Sequence, residues 1–442
     1  MNVCRDGRWG AKPKPRWEPS LRHRVSSVRW SSCRRNLQLL FLVALVYFLV
    51  HQLPAPPEWK NDTRADRPAP KYDVESRPRF LHHSRFRQDP DVEYEAALTH
   101  SLQRIERDVL AKEGKKNGSK DRIWQIMLRR DSSIINRNSD SIELEEQNDD
   151  WEYSLVTHAW ARDFIASTLS AVPDLLDLYN SYPSDVLRAD LLRYLILWYH
   201  GGYYADMDVF PARPIRSCPS LASLFDPISS DSDNKPSAHP NISLVLGIEI
   251  DEPYASPKLM REWHWSRSYG FIQYTMYAPQ RFSPLLRRAI VRVLAHTKRH
   301  NDESNFIRGP QYDEKTTLEV TGPGVFTDAI LDVLSETLPS THPLVKSSVA
   351  ADAGIGDLVD TSSPSGKIQK RVTWSPFHRL RKSIWIDASE GKDMGGLAVL
   401  PINVWGNGQR HSGSESFNNI HACINHRFGR TWKKGWWEYL FG

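Results

Sequence analysis

The chain has 442 residues and a formal net charge of +5, yet residues 1–36 alone carry ten Arg or Lys against two acids, so the remainder is acidic by three. That leaves no basic excess for nucleic acid, whose phosphates require one. None of the four cysteines belongs to a Cys/His cluster with zinc spacing, which removes a structural zinc module.

Residues 37–53 open on a nearly continuous apolar run, LQLLFLVALVYFLV. At about 1.5 Å per residue this segment just reaches across a thin bilayer. The basic flank keeps residues 1–36 cytosolic, so the chain beyond residue 53 faces the lumen. A cleavable signal peptide is the alternative. The long leading tail, and Pro54-Ala55-Pro56-Pro57 in place of a small-x-small cleavage site, favour a single-pass signal anchor. Its shortness suits early secretory membranes. Sequons at Asn61, Asn117 and Asn241 all follow the span. Cys33 lies near enough to the membrane for palmitoylation. Cys218 and Cys423 are either a lumenal disulfide or two buried thiols.

Residues 54–118 are rich in Pro, Arg and Asp, with one helical stretch near 91–112 that places Leu98, Leu102, Ile105 and Val109 at 4-3-4 spacing. This segment is predicted to be a stem. From 119 to 442 apolar segments alternate with helices, the pattern of a single α/β domain with a substantial core. Arg122–Leu128 predicts a first buried strand, and a helix follows around 159–179.

Ser184–Phe210, SDVLRADLLRYLILWYHGGYYADMDVF, is the most informative stretch. Ser184 is a natural N-cap and Asp185 a favourable first-turn acid. Leu187, Leu191, Tyr194, Leu195 and Trp198 recur at helical spacing, and Gly201-Gly202 ends the helix. Asp190 and Arg193, three apart, share a face and form either a surface ion pair or the lining of a polar pocket. The following short strand is predicted to end in Asp206 and Asp208. In extended backbone residues i and i+2 face the same way, so both carboxylates can converge on a hard cation such as Mn²⁺ or Mg²⁺. The triplets Asp89-Pro90-Asp91 and Asp231-Ser232-Asp233 lie in loop-like sequence and carry no such expectation.

Downstream, 226–240 and 349–370 read as surface loops, Ser243–Ile250 as a strand and Pro284–Lys298 as a helix. Phe271–Tyr277 sets Gln273 among aromatics, as in a sugar site or a half-buried strand. Val320–Asp328 (VTGPGVFTD) is a turn into a helix carrying Asp328, close to a ligand or merely a tight connection. Ile420–Trp432 clusters His421, Asn425, His426 and Trp432.

Together RADLLRY…GGYYADMDV, TGPGVFTDA and ACINHRF…TW resemble glycosyltransferase family 32, in particular its fungal Golgi initiation-specific α-1,6-mannosyltransferases, over roughly residues 120–435. The resemblance implies a GT-A-like fold, a mixed central sheet flanked by helices, on a type II Golgi membrane anchor with a lumenal catalytic domain. It implies Mn²⁺-dependent, retaining transfer of mannose from GDP-mannose to a mannose hydroxyl of an N-linked glycan. Asp206, Asp208 and His426 would hold the metal, with the two aspartates catalytic through it. Asp190, Arg193, Gly202, Trp124, Gln125 and Trp432 would bind donor sugar or nucleotide, and Gln273 and Asp328 would line a sugar pocket. Arg430-Thr431-Trp432 stands where the family often has Gly-Ser-Trp. Homo- or hetero-oligomers of Golgi mannosyltransferases are implied partners.

Three other readings compete. A UDP-hexose or a glycolipid acceptor would keep the enzyme and change its substrates. A non-catalytic subunit of a mannan-building complex would keep the fold alone. A haloacid-dehalogenase-type phosphohydrolase would make Asp206 a nucleophile, but the preceding helix and Gly-Gly argue against it.

Overall fold

The computed structural model describes residues 84–87, 90–113, 121–128, 137–225, 241–263, 265–304, 309–351 and 372–428, all within the unit Arg64–Gly442. The basic tail, the apolar segment 37–53, Asn61, Asn117, Thr431 and Trp432 lie outside them. Among the described residues no helix is long and apolar enough to cross a membrane.

The strands are β1 (Arg122–Ile126), β2 (Glu152–Val156), β3 (Gly202–Ala205), β4 (Val209–Pro211), β5 (Leu244–Asp251), β6 (Tyr269–Phe271), β7 (Thr275–Ala278), β8 (Ile384–Ile386), β9 (Leu397–Leu400) and β10 (Ile424–His426). The main sheet runs β2-β1-β3-β7-β5-β9-β8, with β6 beside β5, while β4 and β10 form a separate antiparallel pair. β2, β1 and β3 are parallel; β7 is antiparallel to both β3 and β5. The chain steps from β1 outward to β2, then returns to place β3 on the other side of β1. Ligands of α/β sheets bind at such reversals, beyond the carboxyl ends of the strands. Asp206 follows directly after β3.

Helices α1 (Val92–Glu113), α2 (Ser139–Glu146), α3 (Asp185–His200), α4 (Pro284–Asp302) and α5 (Pro323–Thr337) are the main ones. α3 packs against α4, which packs in turn on α1 and α5. α3 is apolar nearly all round and accordingly buried, with Arg188, Asp190 and Arg193 inside as well. Ser184 occupies its N-cap, but no capping bond from its side chain is made; Asp185 pairs instead with Arg188 at 2.9 Å.

Two expectations are corrected and one open alternative is decided. The helix expected around 159–179 is broken into His158–Asp163, a π-helical turn over Phe164–Thr168, and Leu175–Ser181. Pro173 lacks a backbone donor and Asp174 takes φ 56°, so one continuous helix is not available. The stem expected over 54–118 ends earlier, because α1 is docked on the domain. Leu98, Leu102 and Ile105 are buried in its core, and Glu95–Arg292 (2.8 Å) and Glu106–Arg287 (2.7 Å) tie it to α4. Of the two readings of the TGPG turn, the tight connection is the one seen: a Cβ on Gly324 would lie 2.6 Å from the carbonyl oxygen of Leu318 in the preceding helix.

Candidate active site

The two aspartates converge through a turn and not through strand alternation. β3 stops at Ala205, the Val209 amide donates to the Asp206 carbonyl (3.1 Å), and the Asp206 amide donates to the carbonyl of Tyr274 (2.8 Å). Gln125, at the end of β1, donates to the Asp206 carbonyl at 3.0 Å. Its own oxygen accepts from Ser141 and Tyr153, so this fully buried amide holds the turn and is spent on protein partners.

β10 returns the C-terminal segment to this turn. Its antiparallel register sets His426 opposite Val209, and the Arg427 amide donates to the Asp208 carbonyl at 3.1 Å. Arg427 also grips Asp140 through two nitrogens and lies over the Phe210 ring. The His426 ring is stacked on Tyr274, centroids 4.2 Å apart and planes 8° apart, with Phe428 edge-on. Its Nε2 thereby reaches Asp208 at 3.1 Å. One ligand atom each from Asp206, Asp208 and His426 lies within 4.8 Å of the others. Two carboxylates and one imidazole, all partly exposed, fit a divalent cation that keeps open positions, and Mn²⁺ suits such a mixed oxygen and nitrogen set.

Behind this group stands a buried ion pair. Arg193 Nη2 is 2.8 Å from Asp190 and 3.5 Å from Asp206, and Nη1 donates to the Gln273 carbonyl at 3.3 Å. Asp190 further accepts from Thr321 (2.8 Å) and from the Gln273 amide (3.4 Å). Asp190 and Arg193 are 2 % and 5 % exposed, which settles surface pair against pocket in favour of the interior. Burial pushes the Asp190 carboxyl up to about 6 despite Arg193 and Thr321. Burial likewise raises Asp206, against the pull of Arg193 and the Tyr204 hydroxyl, which donates to it at 2.5 Å. Burial opposes ionisation of Asp208 too, but the bond and charge of His426 outweigh it and hold that carboxyl below its usual range.

The structure therefore gathers Asp190, Arg193, Asp206, Asp208, Gln273 and His426, and uses Gln125 beneath them. Three other expected residues lie elsewhere. Trp124 is buried, donates to the Gly201 carbonyl at 2.9 Å and packs on Trp160 and His200, at the end of β3 opposite Asp206. Gly202 is required by that packing: at φ +98° an added Cβ would lie 2.6 Å from the Arg122 carbonyl oxygen. Asp328 is buried against Arg267, which it shares with Glu319. Sequence reasoning misses Tyr204, Tyr274, Thr321 and Glu249. Tyr204 alone had a signal, lying two residues before Asp206; the others come from distant segments.

Cys218 and Cys423 form a disulfide, which decides the open alternative. Cys423 immediately precedes β10, so the bond pins the strand that delivers His426. Closing a loop of 205 residues also restricts the unfolded chain strongly. Cys218→Ala/Cys423→Ala is expected to lower stability by about 2–5 kcal/mol and to weaken Mn²⁺ affinity, readable by calorimetric melting and by metal titration. Unchanged metal affinity would show that β10 holds its place unaided.

Residues 136–232 match the model of the glycosyltransferase sugar-binding region containing a DXD motif, a span that includes Asp190, Arg193, Asp206 and Asp208. The chain is 25% identical over 355 residues to the initiation-specific alpha-1,6-mannosyltransferase of Saccharomyces cerevisiae, covering 64% of this chain and 71% of that protein. The Candida albicans protein of the same name is 26% identical over 291 residues, 65% of each chain. Inositol phosphoceramide mannosyltransferase 3 of Schizosaccharomyces pombe is 47% identical over 60 residues, 14% of this chain and 16% of its own. Among solved structures, PaToxG Glycosyltransferase overlays with TM-score 0.27 and 15% identity over 54% of this chain and 79% of its own, too distant to bear on the fold. With a DXD turn inside a glycosyltransferase sugar-binding region and a likeness to α-1,6-mannosyltransferases over about two thirds of its length, the chain is a glycosyltransferase.

Proposed function

We propose that this enzyme transfers mannose from GDP-mannose to a mannose hydroxyl of N-linked glycans, with retention and in α-1,6 linkage, on the lumenal side of the Golgi membrane. The observation that carries the reading is the contact between two sets of side chains: the Asp206–Asp208–His426 group, and the buried Asp190–Arg193 pair that touches it through Asp206. The first set suits a cation and the diphosphate on it; the second suits the hydroxyls of a sugar lying alongside. The relatives' names support mannose as that sugar.

Asp206, Asp208 and His426 would hold Mn²⁺, which when bound supplies positive charge where the diphosphate leaves. The chain's own contribution is placement. Tyr274 and Phe428 fix the His426 ring, while Tyr204 and Arg193 orient the Asp206 carboxylate. Asp190, locked by Arg193, Thr321 and Gln273, presents a rigid hydrogen-bonding wall, and such pre-set groups cost little reorganisation as charge develops. The acceptor hydroxyl bonds to the sugar C1 on the face the diphosphate leaves. The C1–O electron pair departs with the diphosphate, whose oxygen takes the hydroxyl proton.

The test uses the purified full-length chain in detergent with GDP-mannose, Mn²⁺ and a high-mannose N-glycan, scored by mass spectrometry beside EDTA and UDP-sugar controls. A metal-dependent gain of one hexose from GDP-mannose alone is the expected result. Asp190→Ala should lower transfer by roughly 100-fold or more while GDP affinity stays within about twofold, since one pre-set polar group facing developing charge contributes on that order; equal loss of GDP affinity would remove Asp190 from the sugar. The short, strong match to an inositol phosphoceramide mannosyltransferase motivates one second reading, a glycolipid acceptor. Transfer to inositol phosphoceramide but not to the glycan would establish it.

A further inference from the structure

We propose that Glu249 binds the acceptor by accepting a hydrogen bond from one of its hydroxyls other than the attacking one, whose proton goes to the leaving diphosphate, an inference that rests on the transferase reading above. β5 runs in the same direction as β3, with Val245 and Tyr203 both opposite Tyr277, so the end of β5 emerges at the edge that carries Asp206. There the pairing with β6 slips: Ile248 lies opposite Phe271 and Ile250 opposite Gly270, leaving Glu249 as the extra residue of a bulge. Bulges next to active sites commonly redirect a side chain. Gln409 secures this one by donating to the Glu249 carbonyl at 2.6 Å.

The Glu249 carboxylate makes no hydrogen bond or ion pair with any described residue. The charges of His426, Asp206 and Arg193 nonetheless act on it, and its own acts on Tyr274. A carboxylate held in the domain for structure alone would be expected to have a partner, because leaving one unpaired in protein surroundings costs several kcal/mol on general grounds. Glu249 is only partly exposed and has no protein partner among the described residues, whereas Asp190 is held by Arg193, Thr321 and Gln273, and Asp206 and Asp208 face the metal group. It lies outside the three-ligand group itself. The Asp190–Arg193 wall belongs to α3, on one face of the sheet. Tyr274, on which the His426 ring stacks, belongs to the apolar cluster of the opposite face. Glu249 thus stands at the strand-end edge that carries Asp206, two strands along from β3, where a further hydroxyl of the incoming acceptor can donate to it.

The experiment compares Glu249→Gln and Glu249→Ala with the parent full-length chain, measuring acceptor KM, kcat and donor KM in the hexose assay and Mn²⁺-dependent GDP affinity by calorimetry. Losing a hydrogen bond to a charged group predicts a roughly 10- to 100-fold fall in kcat/KM for the acceptor in Glu249→Ala. A smaller fall is expected in Glu249→Gln, which keeps an accepting oxygen. Donor KM and GDP affinity should stay within about twofold in both. Unchanged acceptor kinetics in a folded Glu249→Ala protein would overturn the proposal, as would a parallel loss of GDP affinity, which would move Glu249 to the donor side. A parent chain that binds GDP with Mn²⁺ yet transfers to no acceptor defeats the transferase reading, and this inference with it.

Discussion

Asp208→Ala is expected to reduce hexose transfer by a thousandfold or more, on the order seen when the main electrostatic support of a leaving group is removed, with little change in melting temperature. The Asp208 side chain is 29% exposed and lies against His426, which is itself partly exposed, so its removal leaves no buried cation unpaired. Asp206→Ala should abolish transfer equally but also cost about 1–3 kcal/mol of stability, because the Tyr204 hydroxyl loses its acceptor and Arg193 one of its two carboxylates. Loss of Mn²⁺-dependent GDP binding in both variants, by calorimetry, would tie the activity to the metal. Full transfer by either purified variant would sink the metal assignment.

Arg267→Met is expected to have the largest effect on stability, about 3–5 kcal/mol, with a fall in melting temperature on the order of 10 °C. Its guanidinium lies between Glu319 (2.9 and 2.6 Å) and Asp328 (2.6 and 2.7 Å), and all three side chains are buried. Removing this guanidinium takes away the charge that holds the two buried carboxylates together. Replacing all three by apolar residues should recover most of the loss, since a buried ion cluster and a well-packed apolar one are often close in free energy. The same experiment tests the place of Asp328. An Asp328→Asn variant that melts normally but loses transfer would return it to the sugar pocket; a lowered melting temperature with normal transfer per folded molecule would confirm a structural role.

Legibility followed the range over which each feature is decided. The boundaries of α3 needed only local rules, Pro183 and Ser184 before it and Gly201-Gly202 after it, and the structure places it at Asp185–His200. α4 was legible in its apolar period but runs four residues past its expected end. The 159–179 segment misled because its apolar spacing is helical while Pro173 and Asp174 break the backbone. α1 misled for the opposite reason: its seam of Leu98, Leu102 and Ile105 is real, but whether a lone amphipathic helix stands in a stem or docks on a domain depends on a complementary surface, here supplied by α4 some 190 residues later in the chain.

The sequence by itself determined the chemical types at the site. Two aspartates one residue apart behind a helix and a Gly-Gly break, an Asp and an Arg on one helical face and a distant histidine are the residue types that a hard cation and a sugar would need. Only the tertiary structure decided which of them meet. His426 joins the aspartates because β10 pairs with β4 and a disulfide anchors its start. Gln273 reaches Asp190 because the chain breaks between β6 and β7, and Glu249 is aimed by a bulge in β5. Trp124, Gly202 and Asp328 are drawn into packing instead. Strand pairing and burial join residues hundreds of positions apart, and periods of 2 and 3.6 residues contain no information at that range.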